Sequence, residues 1–378
     1  MSTSRSVLVI GGGAAGSAAT ILLRRAGIAV DLIEAKDDWN AAAGSGITLQ
    51  GNALRVLREL GVWDQVEKSG LGFGSVGITT PDGTVLHVAD DLRTGGDDLP
   101  ATVGMQRPAL QRILIDAVRA SGAAVRLGVR ATSLDQSADE PGVTVRFSDG
   151  DARRYDLVIG ADGLASATRA SIGITDRPEP TGMAIWRIAA PRPAGVTRTD
   201  LAYGGPAYIA GYCPTGEDTL YAYVVEARRD RASIPPASYA DEMRGLARHY
   251  GGFWPEITAH ITDPEKVNYT WFDRLLVEGS WHRGRVVLVG DAVHCCPPTL
   301  AQGAALSLED AWVLAQLLTA GDTWDDALFL TYYERRIARV RPVVEASVQI
   351  GQWQLDGVRD ADVPGLMGRT MALLRELP

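Results

Sequence analysis

Hydrophobic positions along the chain change period three times. Short aliphatic, β-branched runs at Val7 to Ile10, Leu157 to Ile159 and Val286 to Val289 read as strands buried on both faces, and Ile28 to Ile33 reads as a further strand. Between the first two strands in the chain lies an alanine-rich stretch with the composition of a helix, giving strand, helix, strand in order. The middle of the chain alternates with period two. "VGITTPDGTVLHV" predicts a hairpin turning at Pro81-Asp82-Gly83, and "MAIWRIAAP", "AYIAGYC" and "TLYAYVVEA" predict further strands. After Asp325 the spacing is helical, with Pro342 expected to kink or restart the helix and Arg335, Arg336, Arg339 and Arg341 expected on its solvated face.

These patterns predict an α/β fold. A doubly wound, Rossmann-like domain is assembled from residues 1–74, 98–178 and 268–320, with a β-sheet substrate domain inserted as 75–97 and 179–267 and a helical segment at 321–378. A length of 378 residues favours two joined domains over a single core. Composition excludes disorder, at 46% hydrophobic and 22% charged residues. A net charge of -9 argues against nucleic acid or an anionic membrane as partner. Three cysteines, Cys213 and the adjacent Cys295 and Cys296, make neither a disulfide framework nor a metal site with recognisable spacing, so no metal is expected. With no signal-peptide pattern and no apolar run of membrane-spanning length, a cytoplasmic monomer or homodimer is expected.

The first strand runs into Gly11, Gly13 and Gly16 in the pattern G-x-G-x-x-G, followed by Ala14, Ala15, Ala18 and Ala19. The glycines serve a tight turn, close approach of a pyrophosphate to backbone, and close helix–strand packing, while the helix start offers free N–H groups to the anion. Glu34 ends the second strand 18 positions past Gly16, near the roughly 20-residue spacing of a ribose-binding carboxylate. This unit predicts a dinucleotide without choosing between NAD and FAD.

Two later stretches narrow the choice: "YDLVIGADGLASATR", with Asp162, Gly163, Ser166 and Arg169, and "GRVVLVGDAVHCCPPTLAQGAALSLEDAWVLAQLL", with Gly290-Asp291 at the end of a strand, then prolines, then a helix. With the glycine loop, these motifs resemble, in order, those of the class A flavoprotein monooxygenases, the para-hydroxybenzoate and salicylate hydroxylase family. "GMQRPALQRIL", "AGSGITLQGNALRVLRELGVWDQV" and "WFDRLLV" extend the resemblance, which covers the chain to about Ser347.

The resemblance implies non-covalent FAD, with NADPH or NADH and O2 as co-substrates, and hydroxylation of a small aromatic through a flavin C4a-hydroperoxide. It implies cofactor contacts from Gly11, Gly13, Ala14, Ala15 and Gly16, from Glu34 and Ala35, and from Arg107 near the phosphates. Asp162 and Gly163 belong to the pyrophosphate region and nicotinamide docking. Asp291 beside Gly290 meets the ribitol hydroxyls, and Pro298, Ala301, Gln302, Gly303 and Ala304 face the flavin. Two positions depart from the family: Ala301 replaces a customary glycine and Ala305 an asparagine, which bears on how the flavin moves.

Pro298 is a candidate wall over the flavin, His294 a candidate acid–base group, and Arg187 a candidate contact to the flavin or a substrate anion, with a structural ion pair as its alternative. Tyr208 with Tyr212, and Tyr221 with Tyr223, each fall on one strand face and make either an aromatic substrate wall or cross-strand packing. Two other outcomes fit the same residues: an FAD enzyme acting on a double bond (epoxidase or reductase), or a flavin-binding sensor without turnover.

Overall fold

The computed structural model describes residues 5–40, 45–137 and 141–378. Ala43 and Gly44, which open the "AGSGITLQ" stretch, lie outside them. A six-stranded sheet runs in the order His282–Arg283, Val286–Leu288, Leu157–Gly160, Ser6–Ile10, Ala29–Glu34, Ala124–Leu127. All neighbours are parallel except the first pair. The aliphatic runs sit at its centre because both faces are covered. Val7, Val9 and Leu157 meet helices Ala14–Arg25 and Gly303–Ala320, while Leu8, Ile10 and Val158 meet the small antiparallel sheet that includes Val143–Phe147.

The period-two segments form an eight-stranded sheet, ordered His294–Cys295, Asn268–Leu276, Glu179–Pro191, Thr219–Ala227, Ile209–Pro214, Thr199–Tyr203, Ser75–Thr79, Val85–Asp90. The last two strands are the hairpin. One face of this sheet presents Ala184, Trp186, Ala210, Tyr212, Ala222 and Val224 to helices Tyr239–Ala247 and Trp254–Ala259. By alternation Ile185, Arg187, Tyr221 and Tyr223 point the other way, towards the dinucleotide side.

A three-stranded sheet of Gly46–Gln50, Thr102–Gln106 and Leu71–Phe73 fills the seam between the two large ones. A side chain at Gly46 would put its Cβ 2.4 Å from the Cβ of Tyr221, and at Gly104 1.9 Å from the Pro214 carbonyl oxygen. Backbone therefore touches the larger sheet directly, and Gln106 Nε2 donates to Thr215 Oγ1 at 2.6 Å across the seam.

Helix Asp326–Leu355 continues through Pro342 without restarting. Its arginines also differ from expectation. Arg341 is partly exposed and pairs with Glu278, but Arg336 is 0% and Arg339 4% exposed. They turn inward because Glu309 and Asp310 lie buried on the facing helix Gly303–Ala320. Among the described residues no helix is long and apolar enough to cross a membrane.

Candidate active site

The glycine turn divides its labour spatially. Gly11, at φ +105°, crosses the end of the Leu157–Gly160 strand so closely that a Cβ would lie 2.4 Å from the Ala161 carbonyl oxygen, and one at Gly16 would lie 1.9 Å from the Gly11 oxygen. Gly13 is different: an added Cβ there meets nothing within 4 Å. The open side of the loop is thus at Gly13, at the start of helix Ala14–Arg25, where an anion would be held by backbone N–H groups. Gly12 is fixed from three directions. Its N–H donates to Glu34 Oε2 at 2.9 Å, and its carbonyl accepts from Trp39 Nε1 and Gln111 Nε2, each at 2.9 Å.

Glu34 Oε1 also accepts from the Lys36 N–H at 3.0 Å. The carboxylate therefore shapes the turn, with half-buried Ala35 next to it. Trp39 and Gln111 were not anticipated. Gln111 carried a signal, being four residues past Arg107 and so on the same helical face.

Asp162 is spent internally. It accepts from Ser166 Oγ at 2.5 Å and from both the N–H and Oγ1 of Thr168 at 2.9 Å, capping helix Ala167–Ser171, while Gly163 beside it faces open space. Arg169 of the same motif is buried and donates to the Ala292 carbonyl at 2.8 Å. This contact ties the second motif to the third.

Gly290, at φ +62°, is packed so closely that its own Cβ would lie 3.1 Å from that of Ala15. Asp291 follows, its surface exposed to solvent but its carboxyl densely surrounded by protein. That packing raises its carboxyl above the usual range, with Asp310 adding to the rise and His294 and Arg107 opposing it. Among the described residues it accepts no side-chain hydrogen bond, unlike Glu34. Arg107, exposed at the start of helix Arg107–Ala120, has both Asp291 and Tyr221 within electrostatic reach.

Pro298 is exposed and opens a short 3-10 turn, Pro298–Leu300, that ends in Ala301 at φ +53°. An alanine held in this left-handed region is strained by roughly 1–2 kcal/mol. Its neighbours hold it there. Gln50 Nε2 donates to the Leu300 carbonyl at 3.1 Å, Gln302 Nε2 to Gln50 Oε1, and Asn52 Nδ2 to Gln302 Oε1 at 3.0 Å. Gly303 then starts the next helix facing open space, half-buried Ala304 packs against the core and Ala305 lies within it.

On the sheet side, Arg187 donates to Thr270 Oγ1 and lies against the Tyr221 phenol, with its Nε buried and unpartnered. Burial pushes the Tyr221 phenol up to about 12, the Arg187 charge working against the rise. The rings of Tyr221 and Tyr223 are 5.1 Å apart, beside Phe73 and Cys213. Cys295 and Cys296 are free thiols, and burial raises both, Cys296 to about 12.

Two candidates leave the site. His294 is 1% exposed, stacked near Trp281, with Nε2 committed to Asp310 at 2.6 Å, so it exchanges no proton with a substrate. Tyr212 lies on the opposite sheet face against Phe253 and Trp254, its hydroxyl on Asp200. Tyr208 precedes its strand and packs with Met183 and Ile185 on the face that carries Tyr223, so it stays on the site side but does not share a face with Tyr212. A strand that begins at Ile209 breaks the alternation read from the sequence.

An open glycine cradle, a free carboxylate at Asp291 and an open helix start at Gly303 fit an FAD. The chain belongs to the FAD binding domain family, whose model matches residues 4–347. YetM of Bacillus subtilis (strain 168) is 31% identical over 375 residues, covering 98% of this chain and 99% of that protein. The 3-amino-4-hydroxybenzoate 2-monooxygenase PtmB3 of Streptomyces platensis is 31% identical over 363 residues, 91% of this chain and 87% of that protein. The crystal structure of Klebsiella pneumoniae HpxO complexed with FAD and uric acid aligns with a TM-score of 0.82 at 23% identity, over 98% of this chain and 92% of that chain. The fold is that of the class A flavoprotein hydroxylases, and the enzyme is an FAD-dependent monooxygenase.

The two acids at the cofactor site should separate on mutation. Asp291→Ala removes an uncommitted carboxylate and is expected to weaken FAD about 10- to 100-fold, the worth of one or two hydroxyl–carboxylate bonds. Since a carboxyl raised by folding subtracts stability as pH climbs through its raised range and above, the variant apoprotein should melt no lower than wild type at pH 7. Glu34→Ala frees the Gly12 and Lys36 N–H groups and should lower both FAD affinity and apoprotein melting temperature. Flavin fluorescence titration with apoprotein melts checks both, and a matching pair of profiles would refute the separation.

Proposed function

We propose that the chain is a single-component monooxygenase that takes electrons from NAD(P)H and uses O2 to hydroxylate a small aromatic of phenolic or aromatic-acid type. The observation that carries this reading is Arg187, whose guanidinium donates to Thr270 but keeps a buried, unpartnered Nε beside Tyr221. A buried donor without a partner is costly unless a ligand completes it.

Glu34, Arg107, Asp291 and the turn at Gly13 would hold FAD, which supplies two-electron transfer and activation of O2. Arg187 attracts an anionic oxygen of the substrate. Tyr221, kept protonated by burial, donates a hydrogen bond rather than accepting a proton, and the two together favour the ionised, electron-rich form of a phenol. Tyr223 and Phe73 keep water from the ring. Pro298 and the clamped Ala301 loop stiffen the wall opposite. The name of PtmB3, a 3-amino-4-hydroxybenzoate 2-monooxygenase, supports this substrate class.

Of the two G-x-G-x-x-G matches only that at Gly11 leads from a strand into a helix, the one at Gly72 to Gly77 lying across strands Leu71–Phe73 and Ser75–Thr79, so NAD(P)H docks transiently. Anaerobic stopped-flow reduction with a panel of phenols and aminobenzoates tests the proposal. The matching aromatic should accelerate reduction about a hundredfold, which requires about 2.7 kcal/mol of differential stabilisation. Oxygen should then appear in the product. Equal rates with every aromatic, and no oxygen incorporated, would overturn the reading.

A further inference from the structure

Away from the catalytic residues, a solvent-open pocket of about 410 Å³ is lined by Arg55, Arg58, Arg93 and Arg375 together with Gly95 and Gly96. That volume lies within the range of small-molecule sites, roughly 300–1,000 Å³. Four guanidinium groups gathered from helix Gly51–Glu59, the loop after strand Val85–Asp90 and the C-terminal segment are unexpected in a chain of net charge -9. Asp98 pairs with Arg58, Asp97 lines the rim and Glu376 lies near Arg55, so three acids face four arginines.

The donors matter more than the net charge. Arg55 is 7% exposed and forms a rigid floor, with NH1 on the Glu376 carbonyl at 3.2 Å and NH2 on those of Thr94 and Arg375, the latter at 3.0 Å. Arg93 uses NH1 on the Asp97 and Leu99 carbonyls. Its remaining nitrogens, and the whole guanidinium of Arg375, make no hydrogen bond among the described residues. The N–H groups of Gly95 and Gly96 likewise have no protein acceptor among the described residues, although Gly95 is buried. Successive free amides in a glycine loop form an anion-holding concavity, and guanidinium forks match phosphate oxygens in pairs.

We propose that this pocket binds the phosphate or diphosphate group of a nucleotide-sized ligand. That chemistry is shared by the phosphates of a nicotinamide co-substrate and by a free phosphorylated metabolite. Calorimetric titration at low ionic strength, on protein already loaded with FAD so that the glycine cradle is blocked, tests it with pyrophosphate, ADP and 2′,5′-ADP. One pyrophosphate should bind per chain, about tenfold more weakly in Arg375→Ala and about tenfold more weakly again with Arg58→Ala added, while melting curves stay unchanged. Tighter binding of 2′,5′-ADP that raises KM for NADPH at constant kcat assigns the site to the co-substrate, and binding that leaves this KM unchanged assigns it to a free metabolite. Either result keeps the site. No heat with pyrophosphate, or equal affinity in wild type and the double variant, overturns it. Binding is read without turnover, so the outcome is independent of the hydroxylation reading.

Discussion

Gly13→Val is expected to purify folded and colourless. At φ -76° and ψ -169° the backbone of Gly13 is extended, a conformation any residue adopts, and its Cβ would meet no heavy atom within 4 Å. The protein itself tolerates the valine. The space filled is the one a pyrophosphate needs to reach the N–H groups at the start of helix Ala14–Arg25. Losing two or three charge-assisted bonds there amounts to roughly 4 kcal/mol, or about a thousandfold in FAD affinity. Gly16→Val is the contrast, since its Cβ would fall 1.9 Å from the Gly11 oxygen and break the helix–strand contact. Flavin absorbance and a melting curve on both variants check this. Full flavin occupancy in folded Gly13→Val would place the phosphates elsewhere.

The contrast between these two glycines shows what the chain discloses before folding. Spacing along the chain marks the turn, because the strand, the turn and the helix are local and each glycine answers a local demand. Glu34 was legible for the same reason, since its distance from Gly16 is set by the length of one helix and one strand. The second role of Glu34, as acceptor for Gly12, follows from the turn folding back and could not be read from spacing.

Arg336 and Arg339 were misread because a helical pattern gives the faces of a helix but not which face meets a buried acid 26 to 30 residues away in sequence. Glu309-Asp310, set among leucines and alanines of an otherwise apolar helix, was the available clue. The tyrosines failed differently. Alternation assigns a face only inside a strand, and Tyr208 stands just before one.

Asp310→Ala is expected to lower apoprotein stability by about 3–5 kcal/mol, roughly 5 °C in melting temperature for a chain of this size, and also to weaken FAD. Asp310 joins three groups in the interior. Its Oδ1 accepts from Arg336 Nε at 2.6 Å, and its Oδ2 from the Gly290 N–H at 2.8 Å and from His294 Nε2 at 2.6 Å. Truncation leaves Arg336, 0% exposed, with Glu309 alone, and leaves the Gly290 N–H without an acceptor. Burial alone would raise the Asp310 carboxyl, but His294 and Arg336 outweigh it and the net shift is downward.

A carboxyl depressed by folding contributes stability that is present above its unfolded pKa and is lost as pH falls through its folded pKa. The deficit of Asp310→Ala should therefore be full at pH 7 and shrink below about pH 4. Stability and positioning part company in the double variant Asp310→Leu with Arg336→Met. Replacing a buried ion pair by apolar side chains of similar size is often neutral, so most of the melting temperature should return. Nothing in that variant accepts the Gly290 N–H, so the turn that presents Asp291 stays loose and FAD affinity stays low. Recovery of both quantities together would mean that the ion pair serves only to hold the two helices, and that the flavin-side turn keeps its shape without Asp310.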